Sequence, residues 1–165
     1  MSAPYLILAL VTLQRLAELI VARRNTRRLL ALGAYEAGAV HYPLIVMMHF
    51  LWLASLWWLA PGQPIYWPLI SLFLLLQLGR LWVLATLGQR WTTRIIILPG
   101  APLVRKGPFR FLRHPNYAVV IAEIAVLPLA FGLWELALIF SLANAAMLAV
   151  RIGAEEKALS GSAAR

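Results

Sequence analysis

The sequence predicts an all-α integral membrane protein with about five transmembrane helices, the last two forming a helical hairpin. Hydrophobic residues make up 62% of the 165 residues, and the mean hydropathy is +0.80. Soluble domains are typically about 45–50% apolar. Because a spanning helix needs roughly 20 apolar residues, the length accommodates one membrane domain, residues 1–165, without a separate soluble domain.

Four apolar stretches define these helices. Three are long enough to span a bilayer, namely Pro4–Ala22, Tyr42–Ala60 and Ile65–Leu87. The fourth, Tyr117–Val150, is interrupted by Pro128 and Gly132, which predicts the hairpin. Residues 1–87 therefore form three predicted helices, and residues 88–165 form a loop, the hairpin and a tail. The stretch from Tyr117 to Pro128 is shorter than a full span, so the sequence leaves open whether the hairpin crosses the bilayer.

The charges follow a membrane pattern and do not indicate nucleic-acid binding. Of the 15 Lys and Arg residues, all but Arg15 and Arg80 follow the first apolar run, follow the third, or lie in the tail. Since cytoplasmic segments are rich in Lys and Arg, the N-terminus is predicted outside and the C-terminus in the cytoplasm. With no Cys, no Asp and three dispersed His, the chain is not expected to bind a metal.

One polar segment stands out, Arg105–Tyr117, which reads RKGPFRFLRHPNY. Its Gly-Pro pair favours a turn. Pro115 suits the first position of a helix, because the N–H that proline lacks would be unpaired there. The sequence therefore predicts that His114 lies at the entrance of a helix.

This helix entrance has two interpretations. The free N–H groups of Asn116 and Tyr117, with Arg113 alongside, could hold a carboxylate or phosphate. Alternatively, His114 and Asn116 cap the helix while Arg110 and Arg113 contact lipid phosphates. The residues alone leave both open.

A second polar group is predicted on the last helix. Asn144, Arg151 and Glu155 are spaced by seven and four residues, so at about 100° per residue they share one face. An Asn in apolar surroundings favours a functional role for this face. The alternative is a simple helical ion pair between Arg151 and Glu155, worth a few tenths of a kcal/mol.

Charged residues also interrupt the apolar runs. Such residues face protein or water and usually pair with one another. Arg15 and Glu18 are three residues apart and are predicted to pair. Arg80 and Glu123 lack a local partner and are predicted to find one another between helices.

The two motifs together resemble the isoprenylcysteine carboxyl methyltransferases, small integral membrane enzymes that use S-adenosylmethionine. GPFRFLRHPNY, at 107–117, is similar to the family pattern G-x-[YF]-x-x-x-R-H-P-x-Y. Arg151, Glu155 and Glu156 are similar to the family's R-x-x-x-E-E. The resemblance covers roughly Arg90–Leu159, with both motifs in the family's order.

The resemblance implies a set of site residues. The implied cofactor contacts are Leu103, Val104, Phe109, His114, Pro115, Asn116, Tyr117 and Glu155. Arg151 is implied as the catalytic residue that binds the acidic group of the substrate, with Asn144 on the same substrate-binding face. Three features depart from the family pattern: residues 100–102 are Gly-Ala-Pro where eukaryotic enzymes have Thr-His-Thr, Phe109 lacks the commoner tyrosine hydroxyl, and Val119 replaces a frequent Gly.

The implied activity is methyl transfer to an oxygen of a lipophilic acceptor at the cytoplasmic face of a bacterial inner membrane. A carboxylate acceptor is ionised at neutral pH, whereas a phenol with a pKa near 10 needs a base, with His114 or Glu155 as candidates. The segment WTTRIIILPGAPLV, at 91–104, is closer to bacterial members, some of which methylate alkylpyrones or alkylresorcinols.

Two other classes of protein stay open. A small transporter or interaction protein could use Arg80 and Glu123 as an intramembrane switch. A membrane reductase would bind a nicotinamide cofactor, and sterol reductases share a related C-terminal arrangement.

Overall fold

The computed structural model describes residues 3–163, with side chains as far as residue 158, and is mostly helical. In chain order its main elements are α1 (Ala3–Ala31), β1 (Tyr35–Ala37), α2 (Tyr42–Leu59), α3 (Trp67–Leu87), β2 (Ile95–Ile97), α4 (Pro115–Leu129) and α5 (Trp134–Ala163). Short 3-10 helices lie at Ala39–His41, Gly88–Arg90 and Gly107–Arg110. The predicted positions of the two chain termini concern residues outside this range.

Within the described residues, four helices are long and apolar enough to cross a membrane: α1, α2, α3 and α5. α4 has 15 residues, which is about 22 Å at 1.5 Å per residue, against roughly 30 Å of hydrocarbon. The helical membrane class is thus confirmed. The count of five spans and the orientation of the termini stay predictions.

Two features differ from the sequence expectation. α1 continues past Ala22 to Ala31, because arginine is a good helix former and its charge ends the apolar run without ending the helix. The fold is also not purely helical, since β1 and β2 pair as an antiparallel two-stranded sheet with Glu36 opposite Ile96. The β-branched run Ile95–Ile97 suits a strand.

The apolar core lies between the helices, with buried side chains from α1 to α5. α4 and α5 form the predicted hairpin, and α4 extends one residue past Pro128. The backbone N–H of Tyr66 donates to the Ala130 carbonyl at 2.8 Å. The turn of the hairpin therefore lies beside the connection between α2 and α3.

The intramembrane charges form one network. Arg15 pairs with Glu18 at 3.0 Å and with Glu123 at 2.8 Å. Arg80 Nε donates to Glu123 Oε1 at 2.9 Å, and Arg80 Nη1 lies 3.2 Å from Glu18 Oε2. Gln77 also donates to Glu123 at 2.8 Å. Both predicted pairs are confirmed, and together they connect α1, α3 and α4.

Candidate functional site

The loop between α3 and α4 carries the first motif. Gly107 has φ +58°, and a side chain there would clash with Thr86 Oγ1 on α3. Glycine is therefore required where the Gly107–Arg110 turn meets α3. The chain then enters α4 at Pro115, with His114 at the N-cap position, as the sequence predicts.

Side chains from both motifs meet in one polar cluster. The Tyr117 hydroxyl donates to Glu155 Oε2 at 2.6 Å and accepts from Arg151 Nε at 2.9 Å. The His114 ring stacks on the Tyr117 ring with 5.1 Å between centroids. His114 Nδ1 lies 3.7 Å from Glu155 Oε2. We call Tyr117, His114, Arg151 and Glu155 the Tyr117 cluster.

Arg151 is held at two points. Besides its contact with Tyr117, its Nη2 donates to the Thr93 carbonyl at 2.8 Å. Among the ion pairs of the described residues, none joins Arg151 directly to Glu155, so the two are linked through the Tyr117 hydroxyl. Nη1 has no hydrogen-bond partner in the part of the chain described. A guanidinium carries five donors, so this partly exposed side chain retains some for an acidic group.

The entrance of α4 differs from the expectation at one group. The Tyr117 N–H, expected to be free, donates to the His114 carbonyl at 3.1 Å. His114 makes no side-chain cap bond. Asn116 Oδ1 is buried and has no hydrogen-bond partner among the described residues. An unpaired buried polar atom costs about 1–3 kcal/mol of stability, and within residues 3–163 neither His114 nor the Asn116 oxygen makes a capping bond. The geometry therefore argues against the interpretation that His114 and Asn116 only cap the helix.

Two predicted cofactor residues lie in a separate cleft. Leu103 and Val104 line an open cleft of about 820 Å³ between the end of α3 and the following loop. Its lining also includes Arg90, Arg105 and Lys106 and contains no acidic residue. The cleft is therefore electropositive, and none of its lining residues belongs to the Tyr117 cluster.

Three predicted residues make no side-chain hydrogen bond or ion pair with the cluster within the described residues. Asn144 is only 2% exposed, but in the described part of the chain no hydrogen bond links it to Arg151. Phe109 is partly buried in the turn before α4, and Pro115 is buried at the first position of α4. Within residues 3–163, no group of three or more His, Cys, Asp or Glu side chains is placed to hold a metal.

Sequence reasoning missed the residues that surround Thr93. Tyr42 OH lies 3.0 Å from Thr93 Oγ1, and the Arg94 guanidinium lies 4.3 Å from the Tyr42 ring centroid. Arg94 Nη1 bonds both Glu36 oxygens, at 2.9 and 2.8 Å, and this hydrogen bonding raises the pKa of Arg94. The available signal was Thr92-Thr93-Arg94, a polar triplet directly before an isoleucine run.

The architecture and the cluster define the class, a small helical membrane protein whose polar site is built from the entrance of α4 and the face of α5. Residues 69–161 match the model of the isoprenylcysteine carboxyl methyltransferase (ICMT) family, and the match covers more than half of the chain. The chain belongs to this family. The resemblance of the two motifs is thereby confirmed.

Two curated relatives match over most of their length. The uncharacterized protein YpbQ of Bacillus subtilis is 44% identical over 160 residues, covering 94% of this chain and 95% of the relative. An uncharacterized protein of Haemophilus influenzae is 29% identical over 154 residues, with 88% of each chain covered. No solved structure matches this chain significantly.

Proposed function

We propose that this protein is an S-adenosylmethionine-dependent O-methyltransferase that acts on a lipophilic acceptor at the cytoplasmic face of a bacterial inner membrane. The observation that carries the proposal is the Tyr117 cluster, in which one hydroxyl joins Arg151 to Glu155. Membership of the family supplies the reaction class. The cluster supplies a cation and an anion side by side, suited to binding two reactants of opposite local charge.

The described residues fit the proposed cofactor. Glu155 and the unpaired Asn116 Oδ1 are acceptors, which suits the ammonium and hydroxyl groups of S-adenosylmethionine. The stacked His114 and Tyr117 rings add an apolar face. The electropositive cleft at Leu103 and Val104 suits an anionic group. When bound, the cofactor supplies an electrophilic methyl group on a sulfonium.

Arg151 is the residue we assign to the acceptor. Its Nε donates its one N–H to Tyr117 and its Nη2 donates to Thr93, so Nη1, with neither N–H bonded among the described residues, is the nitrogen that we expect to donate to the acceptor oxygen. Holding a nucleophile in line with the methyl group can supply about 7–11 kcal/mol of the barrier. Asn144, buried on the same helix, is proposed to line the path of the acceptor.

The two classes of methyl acceptor differ in whether a proton must be removed before the methyl group is transferred. A prenylated cysteine carboxylate is ionised and needs only orientation. A long-chain phenol or pyrone hydroxyl can instead give its proton to His114, whose Nδ1 faces Glu155 at 3.7 Å. Both kinds of acceptor carry an apolar chain that the membrane would deliver.

The first test is ligand binding to the detergent-purified protein. We expect S-adenosylhomocysteine to bind the wild type, and Glu155→Ala to weaken this binding at least about tenfold, as loss of a charge-assisted contact implies. His114→Ala removes the stacked ring and should also weaken this binding. NADPH is titrated in parallel, because a membrane reductase would bind it instead. NADPH binding without S-adenosylhomocysteine binding would overturn the proposal.

The second test separates the acceptor role of Arg151 from cofactor binding. Methyl transfer from labelled S-adenosylmethionine is measured to two probes, N-acetyl-S-farnesyl-cysteine and 5-pentadecylresorcinol. Arg151→Ala should lower methylation at least about 100-fold while changing S-adenosylhomocysteine affinity less than about threefold. The matched control is Arg110→Ala, at an exposed position of the loop. Equal loss of methylation and binding would contradict the role given to Arg151.

A further inference from the structure

Arg151 depends on a contact that neither motif contains. Its Nη2 donates to the backbone carbonyl of Thr93 at 2.8 Å. Thr93 lies two residues before β2, in the loop that follows α3. The oxygen that accepts this hydrogen bond belongs to the backbone. Any contact that fixes the backbone at Thr93 therefore also helps to fix the Arg151 guanidinium.

Thr93 is anchored in turn by the start of α2. Its Oγ1 lies 3.0 Å from the Tyr42 hydroxyl, and either oxygen can donate. The Tyr42 ring is covered by the Arg94 guanidinium at 4.3 Å, a cation–π contact. Arg94 is held by Glu36 on β1. The Arg94 guanidinium therefore covers the ring face of Tyr42, and the Tyr42 hydroxyl bonds Thr93 and also interacts with Arg94.

The same segment packs directly on α5 beside Arg151. Gly38, with φ +63°, follows β1, and a side chain there would lie 3.2 Å from the Ala154 Cβ. Ala154 is three residues after Arg151, one helical turn away. The β1–β2 pairing joins the two sides of this arrangement, with Glu36 opposite Ile96. The first half of the chain thus reaches the candidate site at a defined point.

We propose that Tyr42 is a positioning residue which, through Thr93, sets the orientation of the Arg151 guanidinium toward the acceptor. The inference rests on the proposed function, because it concerns the use of Arg151. The long side chain of arginine is flexible, and Tyr117 bonds only its Nε, with the guanidinium carbon 5.6 Å from the Tyr117 ring centroid. With Nη2 bonded to Thr93 as well, the planar group is held at two nitrogens and Nη1 is left for the acceptor.

A direct test uses the Arg151 side chain as its own reporter. Protein labelled with 15N-arginine gives a resolved Nε–H signal for Arg151, assigned by its loss in Arg151→Lys. Tyr42→Phe removes one hydroxyl and keeps the ring under Arg94, so we expect the Arg151 signal to shift and broaden. Tyr35→Phe is the matched control, because Tyr35 lies in β1 and is 42% exposed. An Arg151 signal unchanged in Tyr42→Phe would overturn the inference.

Kinetic measurements then test whether the orientation of the Arg151 guanidinium affects binding of the methyl acceptor. With whichever probe the wild type methylates, Tyr42→Phe should raise the KM for the acceptor about 3- to 10-fold, the effect of one hydrogen bond. The S-adenosylhomocysteine affinity should stay within about twofold. Thr93→Val should raise the KM for the acceptor as much as Tyr42→Phe does, and Thr93→Ser, which keeps the hydroxyl, should have the wild-type KM. The double variant with Tyr42→Phe and Thr93→Val should have a KM no higher than that of either single variant.

The outcomes separate this inference from the proposed function. Wild type that binds no S-adenosylhomocysteine would overturn the methyltransferase proposal, and this inference with it. Wild type that methylates a probe, together with a Tyr42→Phe KM equal to that of Tyr35→Phe, would overturn the positioning role alone. A parallel loss of cofactor affinity and thermal stability in Tyr42→Phe would assign Tyr42 to folding instead.

Discussion

Tyr117 has a role that its place in a motif does not reveal. The sequence pattern assigns it to the cofactor, whereas its hydroxyl bonds both the proposed acceptor residue Arg151 and the proposed cofactor residue Glu155. One atom therefore connects the two halves of the site. Because the hydroxyl accepts from a cation and donates to an anion, both hydrogen bonds are charge-assisted and stronger than neutral ones.

Replacing Tyr117 by Phe removes this connection and keeps the ring that stacks on His114. Hydrogen bonds to charged groups are worth about 1.5–3 kcal/mol, so methylation should fall roughly 10- to 100-fold. The measurement is initial rate with labelled S-adenosylmethionine, alongside S-adenosylhomocysteine affinity. Tyr66→Phe, at a 51% exposed position, is the control. A rate for Tyr117→Phe within twofold of wild type would contradict the bridging role.

At the level of single residues, the sequence predicted ion pairs correctly where the pattern of charges left only one plausible partner for each residue. The Arg15–Glu18 spacing and the isolated Arg80 and Glu123 left few choices in an apolar environment, and both pairs form. It failed at Thr93, because the contact with Arg151 uses a backbone carbonyl, which any residue type supplies. Side-chain identity carries no information about such a contact.

At the level of elements, the charge network links α1 to α3 and α4, in addition to the apolar core that α1 shares with the other helices. Glu123 on α4 accepts from Arg15 on α1 and Arg80 on α3, and its residue is only 2% exposed. Two arginines and two glutamates balance within the network. In an apolar surrounding, the loss of one member leaves an uncompensated charge.

Glu123→Gln tests this role of the network. Breaking a buried pair typically costs about 3–5 kcal/mol, so the variant should unfold at markedly lower temperature or denaturant concentration in detergent. Glu135→Gln, at an exposed position of α5, should unfold like the wild type. Adding Arg80→Met to Glu123→Gln should recover part of the loss, because it removes the stranded cation. Equal stability of Glu123→Gln and Glu135→Gln would show that the ion pairs contribute nothing.

The elements also show which local signals were too weak to use. Helices followed from the apolar runs, but Tyr35–Ala37 and Ile95–Ile97 are strands of three residues. Each is far shorter than a window in which alternation can be recognised. Their pairing joins two segments that are far apart in the sequence, which no local pattern encodes.

At the scale of the whole molecule, we predict the direction of the chain through the membrane from the helix ends that lie together and from the positions of the basic residues. The hairpin turn at Ala130 bonds Tyr66, so it lies at the end of the bundle that carries the α2–α3 connection. The loop with Arg90, Arg105 and Lys106 follows the other end of α3. Lys and Arg mark cytoplasmic segments, so the cluster should face the cytoplasm and the hairpin turn the outside.

Cysteine labelling tests this orientation, since the chain contains no Cys of its own. Gln63→Cys and Glu135→Cys lie at exposed positions near the expected outer end, and Gln89→Cys and Lys106→Cys at exposed positions near the expected inner end. In intact spheroplasts, a membrane-impermeant maleimide should react with the first two variants only, and with all four after lysis. Because α4 is about 22 Å long at 1.5 Å per residue, the Glu135→Cys result is the most informative. Labelling of Gln63→Cys but not of Glu135→Cys would mean that the hairpin does not cross the bilayer. Labelling of only Gln89→Cys and Lys106→Cys would mean that the orientation is opposite to the one predicted and that the Tyr117 cluster faces the outside.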